Sequence, residues 1–460
     1  MSVNRLLPSL AWPAAAVAAL AALVAALALT FTSGGTLGHR EPLSLWYPLD
    51  LGLFALALLA LWRVPRRWVA ALVLAGSVAV AVTGLLAAPR TSDDAYRYLW
   101  DGQVQAAGHS PYAYPPDAPE LAGLRAKAPE LFPVGGDCAG WDLRRAAPGF
   151  CSHLNRPSVV TIYPPVAEVW FLGLHAVAHG HGVRAAQAGG ALLAVACTAL
   201  LLVVLPPERR RRAALWGWFP GVAVWAVNDA HVDTLGALLA VGGLALTARG
   251  RLRGGGALLG AAAAVKLVPA LVLPGALAGV LRRRPAWRDL RLPAVALGVF
   301  LLSYLPYLLL SGHRVLGFLP GYLREEGYDS RAVQRFGLLR VLLPDSLAAA
   351  GAGIVVLGAV LAVLRWGDPR RPWQGALLVT GTALLALTPA YPWYGLLLVA
   401  LVGLAGRWEW LAVPAAGQAA YLYGSDVQLP AYGAALALVL AGAAVRYGCL
   451  RYRAAAPATD

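Results

Sequence analysis

The stretch "GGGALLGAAAAVKLVPALVLPGALAGVL", residues 254–281, decides the fold of this chain. It carries one charge, Lys266, and is longer than the roughly 20 apolar residues that span a bilayer. Arginines crowd both flanks, "RGRLR" at 249–253 and "RRRPAWRDLR" at 282–291. Basic clusters mark the cytoplasmic side of a membrane protein, so this run must enter the membrane and come back. The turning point is expected at "KLVP", 266–269, where proline removes a backbone donor and breaks the helix. Non-helical backbone at membrane depth is tolerated where it lines a cavity or is packed in protein.

Working outward, comparable runs cover 8–31, 46–62, 68–88, 184–205, 213–227, 231–248, 292–311, 345–365, 373–391, 393–406, 410–424 and 431–446. Of the 460 residues 59% are hydrophobic and 13% charged, against about 25% charged in soluble domains. The mean hydropathy is +0.62. The expectation is an all-α polytopic membrane protein of about 13–14 transmembrane helices. The net charge of +15 does not point to nucleic acid, because the arginines sit in short clusters between apolar runs and form no basic face. The first run is too long for a signal-peptide core and is read as a retained helix.

Placing 63–67, 209–212, 249–253, 282–291, 365–371, Arg407 and 446–453 in the cytoplasm puts both termini there. The expected organisation is 1–88 transmembrane, 89–183 an extracytoplasmic loop, 184–311 a transmembrane core, 312–344 a second outer loop, 345–453 transmembrane and 454–460 a disordered tail. The segment "IYPPVAEVWFLGLHAVA", 162–178, resists a full crossing, since it would carry the arginines at 209–212 outside. It is expected to be an interfacial or re-entrant helix on the outer face.

The acids then gather outside. Asp93 and Asp94 sit where an apolar run ends, ahead of the amphipathic stretch "DAYRYLWDGQVQAAG", which also holds Asp101. One carboxylate there suits a general base, and two together raise one another's pKa. The same residues also suit a helix N-cap. "NDAHVD", 228–233, compresses Asn228, Asp229, His231 and Asp233 between two short spans, as a set that binds a metal or fixes a polar head group, or as a polar turn capping the next helix. Lys266 at membrane depth costs about 2.5–3.5 kcal/mol to insert and suits an anionic head group. The second outer loop, "FLPGYLREEGYDSRAVQRFG", brings Glu325 and Glu326 with Arg324, Arg331 and Arg335, a pattern for phosphate or for a solvated helix. His153, Asn155, Arg156 and Tyr163 close the first loop as candidate sugar or phosphate ligands. Cys138 and Cys151 lie in that exported loop, where thiols oxidise, so a disulfide is expected. "HGHG" at 179–182 is a weak metal pattern, and no P-loop, GxSxG or HExxH is present.

The pieces "DDAYRYLWDGQV" (93–104), "NRPSVVTIYPPVAE" (155–168), "NDAHVDTLGALLAV" (228–241), "GALLGAAAAVKLVPALVLP" (256–274), "YLREEGYDS" (322–330) and "TPAYPWYGLLLVALVG" (388–403), in that order, resemble the GT-C fold glycosyltransferases. These integral membrane enzymes use polyprenyl-phosphate sugars, and the resemblance is to family 87 and the actinobacterial mannosyltransferases of lipoglycan assembly. It implies a GT-C-like bundle whose two outer loops carry interfacial helices. It also implies inverting transfer of a sugar, mannose first, to an extracytoplasmic glycan or lipoglycan. The active site would lie on the outer face of a bacterial plasma membrane. The catalytic base falls on Asp93 or Asp94, and the departing phosphate on Lys266, Arg156 and Arg331. The sugar or acceptor falls on Asp101, His153, Asn155, Tyr163, Asn228, His231, Asp233, Glu325 and Glu326. No metal or other cofactor is expected. The bilayer, the donor and the acceptor are the partners. The competing readings are a transporter or flippase of lipid-linked sugars, which broken helices also suit, and a non-catalytic assembly protein.

Overall fold

The computed structural model describes residues 7–135, 138–146, 149–178, 182–284, 286–325 and 335–455. Glu326, Arg331, most of "HGHG" and the tail beyond 455 lie outside them.

Seven helices among the described residues are long and apolar enough to cross a membrane. They are Ala11–Ser33, Glu41–Leu61, Arg66–Thr83, Val183–Val204, one within Trp287–Glu325, Asp345–Trp366 and Ser425–Gly448. A further apolar pair, Val222–Asn228 and Asp233–Ala248, is bent by 110° at its break, the shape of a broken span or a re-entrant loop. Four further apolar helices are shorter, Pro165–Val177, Val268–Arg282, Pro372–Leu387 and Pro392–Ala405. The chain is an all-α polytopic membrane protein, and among the described residues one small sheet pairs Arg144–Arg145 with Cys151–Ser152.

Among the described residues, helices of full membrane length are fewer than the 13–14 crossings expected, and the reason is local. The apolar runs are where the sequence puts them, but several are interrupted. Residues 222–228 wind as a π-helix and end at Ala230, which takes a left-handed φ of 54°. The run 254–281 stops as an α-helix at Ala263, passes Lys266 unwound, and resumes through a tight turn starting at Val268 with Pro269 next. This is the break expected at "KLVP". Residues 162–178 form only the helix Pro165–Ala178, which packs against Asp94–Ala106.

The interior is built around Leu396–Ala405, every residue of which is buried. A helix apolar on all sides belongs in a core, and this one packs on Asp233–Ala248 and Pro372–Leu387. Glycines permit the closest helix approaches. A Cβ on Gly190 would stand 2.0 Å from Ala226 O, and one on Gly260 2.2 Å from Ala296 O. Without a hydrophobic drive between helices in lipid, such small-residue seams carry the packing. Leu302, Leu309, Leu310, Ile354 and Leu357 point outward, as lipid-facing side chains do. Arginines gather at one end of the bundle. Arg211 caps carbonyls of Leu61 and Val64, Arg212 that of Ala405, and Arg407 and Arg446 both pair with Glu409.

Candidate functional site at the carboxylate pair

Away from those arginines, the ends of several helices surround a cavity of about 680 Å³. Asp93 and Asp94 stand in its wall at the start of helix Asp94–Ala106. The polar turn 228–233 determines where they stand. Asn228 donates to the carbonyls of Gly84, Ala87 and Ala88 and accepts from Arg90 N. Asp229 accepts from Thr91 N at 3.1 Å, Ser92 N at 3.2 Å and the Thr91 hydroxyl. Tyr421 closes the same segment from the other side, donating to Thr91 O at 2.6 Å. Both residues of the turn are fully buried and neither lines the cavity. The expectation that Asn228 meets sugar is therefore corrected: every polar atom of its side chain holds the chain segment that aims the two acids.

The acids share one amide. Asn155 Nδ2 donates to Asp93 Oδ1 at 3.0 Å and to Asp94 Oδ1. Their remaining oxygens part company. Asp93 Oδ2 meets the guanidinium of Arg144, whereas Asp94 Oδ2 lies 3.4 Å from His231 Nδ1. Burial pushes Asp93 up to about 6, with the Asp94 charge adding to it and Arg144 and Asn155 opposing. Burial also works to raise Asp94, but His231, by hydrogen bond and charge, together with Lys266 and Asn155 outweighs it and holds the group at about 2. Adjacent carboxylates thus differ in proton affinity because their partners differ.

His231 stacks on Trp393, ring centroids 4.0 Å apart, which stacks in turn on Tyr391 at 4.9 Å. Lys266 Nζ bonds Asp233 Oδ2 at 2.8 Å and lies 4.5 Å over the Tyr394 ring. His231 and Asp233 are thus behind the wall, orienting Asp94 and Lys266. Arg156 lines the cavity, pairs with Glu325 at 2.6 Å and lies over Tyr322. Tyr163 is in the wall, half of a T-shaped pair with Tyr98.

Two expected ligands sit elsewhere. Asp101 is buried beneath the helix, accepting from Arg97 Nε at 2.9 Å. His153 faces Asp142 at 3.1 Å and stacks on Tyr96, outside the cavity lining. Arg97 takes both carboxylate oxygens of Asp101, and His153 is turned toward Asp142 and Tyr96.

The cavity also holds residues that the sequence did not single out. Arg97 lines it, buried, with Nη2 unbonded in the structure. Arg144 and Trp141 arrive on the hairpin closed by the Cys138–Cys151 disulfide. Tyr391, Trp393, Tyr394, Tyr421 and Tyr322 make an aromatic wall. Its signal was visible in the "AYPWYG" string, 390–395, where aromatics interrupt an aliphatic pattern. Backbone strain marks the same segments. Of five non-glycine residues with positive φ among those described, Cys138, Arg156, Ala230 and Thr388 lie on strands of chain that build this wall. Such conformations persist where the surroundings over-determine them. Among the described residues no three His, Cys, Asp or Glu converge as a metal site.

This geometry provides anchored carboxylates, cations and an aromatic face around one cavity. Residues 161–389 match the family model of glycosyltransferase family 87. Fold and match together define the class, an integral membrane glycosyltransferase. The matched segment carries Tyr163, His231, Asp233, Lys266 and Tyr322, while Asp93, Asp94, Asn155 and Arg156 precede it. No curated protein and no solved structure gives a significant match.

Proposed function

We propose that the protein is an inverting hexosyltransferase. It moves a sugar, with mannose the first to test, from a polyprenyl-phosphate donor to a hydroxyl of an extracytoplasmic glycan or lipoglycan. Its setting is the plasma membrane of a bacterium, with the cavity opening on the outer face. The observation that carries this reading is the pair Asp93–Asp94, split by its surroundings, in one cavity with Lys266, Arg97 and Arg156.

In this mechanism Asp93 is the base. Its proton affinity lies near neutral pH, where a general base works best. It takes the proton of the acceptor hydroxyl while that oxygen bonds to the sugar's anomeric carbon from the face opposite the phosphate. The bond from that carbon to the phosphate oxygen breaks, and the polyprenyl phosphate leaves with the electron pair. Asp94, kept ionised by His231 and Lys266, stabilises positive charge building on the sugar ring. Lys266, Arg156 and Arg97 receive the phosphate charge. Asp233 holds the Lys266 ammonium in place until the anion arrives. The aromatic wall offers ring faces to the sugar, and carboxylates in place of a resident metal carry the chemistry.

The test is transfer from radiolabelled polyprenyl-phosphate-mannose to an oligomannoside by purified protein, for wild type, Asp93→Asn and Asp94→Asn, with and without chelator. Transfer that survives chelator and disappears in Asp93→Asn supports the reading. A wild type inert toward this and other polyprenyl-phosphate sugars would sink it.

A further inference from the structure

The hairpin 138–151 precedes the family-matched segment, yet it reaches the centre of the site. Its base is closed by the Cys138–Cys151 disulfide, and its register is set by Arg144 opposite Ser152 and Arg145 opposite Cys151. Three side chains dock it. Trp141 lines the cavity, Asp142 meets His153, and Arg144 meets Asp93. Gly38 makes the seat: a Cβ there would fall 2.7 Å from Trp141 Cβ. His153 passes the contact on, stacking on Tyr96 one turn along from the acids.

We propose that Arg144 is a positioning residue for Asp93, presented by the disulfide-closed hairpin, so that full transfer requires the Cys138–Cys151 bond to be oxidised. The inference rests on the reading of Asp93 as the base, and it adds a redox condition to that site. Arg144 acts through the carboxylate: with Oδ2 held by its guanidinium and Oδ1 by Asn155, the group has one orientation. The charged and titratable groups around Asp93 are few. Asp94 is its neighbour on the helix, Arg144 comes from the hairpin, and Asp229 lies behind Thr91 and Ser92. The phenols of Tyr96 and Tyr421 stand within electrostatic reach, and His231 and Lys266 act by way of Asp94. Of these Arg144 is the cation in direct contact, so its removal leaves burial and Asp94 to drive a proton onto the base. A dithiol reductant would give up two electrons and two protons to yield two thiols and a cyclic disulfide of its own. The base of the hairpin would open and Arg144 would lose its register.

The experiment compares wild type, Arg144→Gln, Arg144→Lys and the double variant Cys138→Ser/Cys151→Ser by two readouts. One is the pH–rate profile of sugar transfer. The other is an isotope-edited infrared titration of the Asp93 carboxyl, assigned by difference from Asp93→Asn, which needs no turnover. For Arg144→Gln we expect the acid limb and the infrared midpoint to rise together by about one pH unit or more, the effect of losing an adjacent opposite charge. Arg144→Lys should restore most of the shift. The serine pair and dithiothreitol-treated wild type should shift the same way, and the serine pair should add nothing further to Arg144→Gln. An unchanged midpoint in Arg144→Gln, or wild-type behaviour in the serine pair, overturns the proposal. If wild-type protein transfers no sugar while the midpoint still moves, the function fails and the Arg144–Asp93 link stands.

Discussion

Helix Asp94–Ala106 serves two carboxyl pairs, and they have opposite fates. At its start Asp93 and Asp94 open onto a cavity. Two turns on, Asp101 lies against Glu168 of the neighbouring helix, and both are sealed. Arg97 donates to Asp101, Thr161 donates to Glu168 at 2.7 Å, and Gln105 donates to Glu168 at 2.9 Å while accepting from Tyr307. Donors saturate the second pair from every side. The first pair shares one amide and keeps a face toward open space. Asn155, Arg144 and His231 partner the first pair too, so what makes it a candidate for chemistry is the open space beside it, and sequence spacing alone does not report that.

The sharpest way to break this comparison is Asp93→Asn. We expect transfer to fall about 10²- to 10⁴-fold, the range of a lost general base, in the radiolabel assay. At neutral pH the same variant should melt higher in a detergent thermal scan. The sign follows from a raised acid: between about 4 and about 6 the folded protein holds the Asp93 proton more tightly than the unfolded chain. Stability from this group is therefore present at low pH and lost as pH rises through about 6, and an amide escapes that loss. Next, Lys266→Ala should raise the KM for donor about 10- to 100-fold, the cost of a hydrogen bond to a charged group, with a smaller change in kcat. Activity itself should climb with pH through about 6 as Asp93 ionises, so rates at pH 5 should lie about tenfold below those at pH 7. The smallest effect on turnover belongs to the sealed pair. Asp101→Asn should lower transfer far less than Asp93→Asn, through the looser Arg97 alone, while lowering the melting temperature, because it strips that buried arginine of its counter-charge. Equal losses in Asp93→Asn and Asp101→Asn would erase the distinction between the pairs.

Much of the fold was legible because lipid imposes a simple rule. Apolar runs gave helix positions within a few residues, and "KLVP" gave its break, since proline acts locally. The 110° bend was not legible, because it depends on a π-helical stretch and on Ala230 in a left-handed conformation, which no side-chain pattern encodes. Around the cavity, Asp93, Asp94 and Lys266 stood out as charged groups beside or within apolar runs, and Asn155 as a candidate ligand where the polar first loop ends. Arg97 and Arg144 did not, for each looks like an ordinary loop or surface arginine until the fold buries it or brings it to the acids. The aromatic wall was legible only in part: "AYPWYG" stands out from its aliphatic surroundings, but Tyr322 and Tyr421 come from distant segments that only the fold brings to it. Asn228 was misread because a buried asparagine that saturates backbone carbonyls has the same sequence context as one that meets a ligand.

The bonds from Asn228 and Asp229 to residues 84–92 also set an order of assembly. Thr91 and Ser92, which lead into the acids, are separated from Asp229 by 138 and 137 residues along the chain. At about 5–20 residues per second of synthesis, the acids emerge on the order of ten seconds before their clamp. During that interval Asp93 and Asp94 have no fixed direction, and His231, Lys266 and Trp393 do not yet exist. A nascent or truncated chain ending before residue 228 therefore carries Asp93 and Asp94 without the turn that aims them, and the cavity wall can be completed only after the bent helix pair has been made.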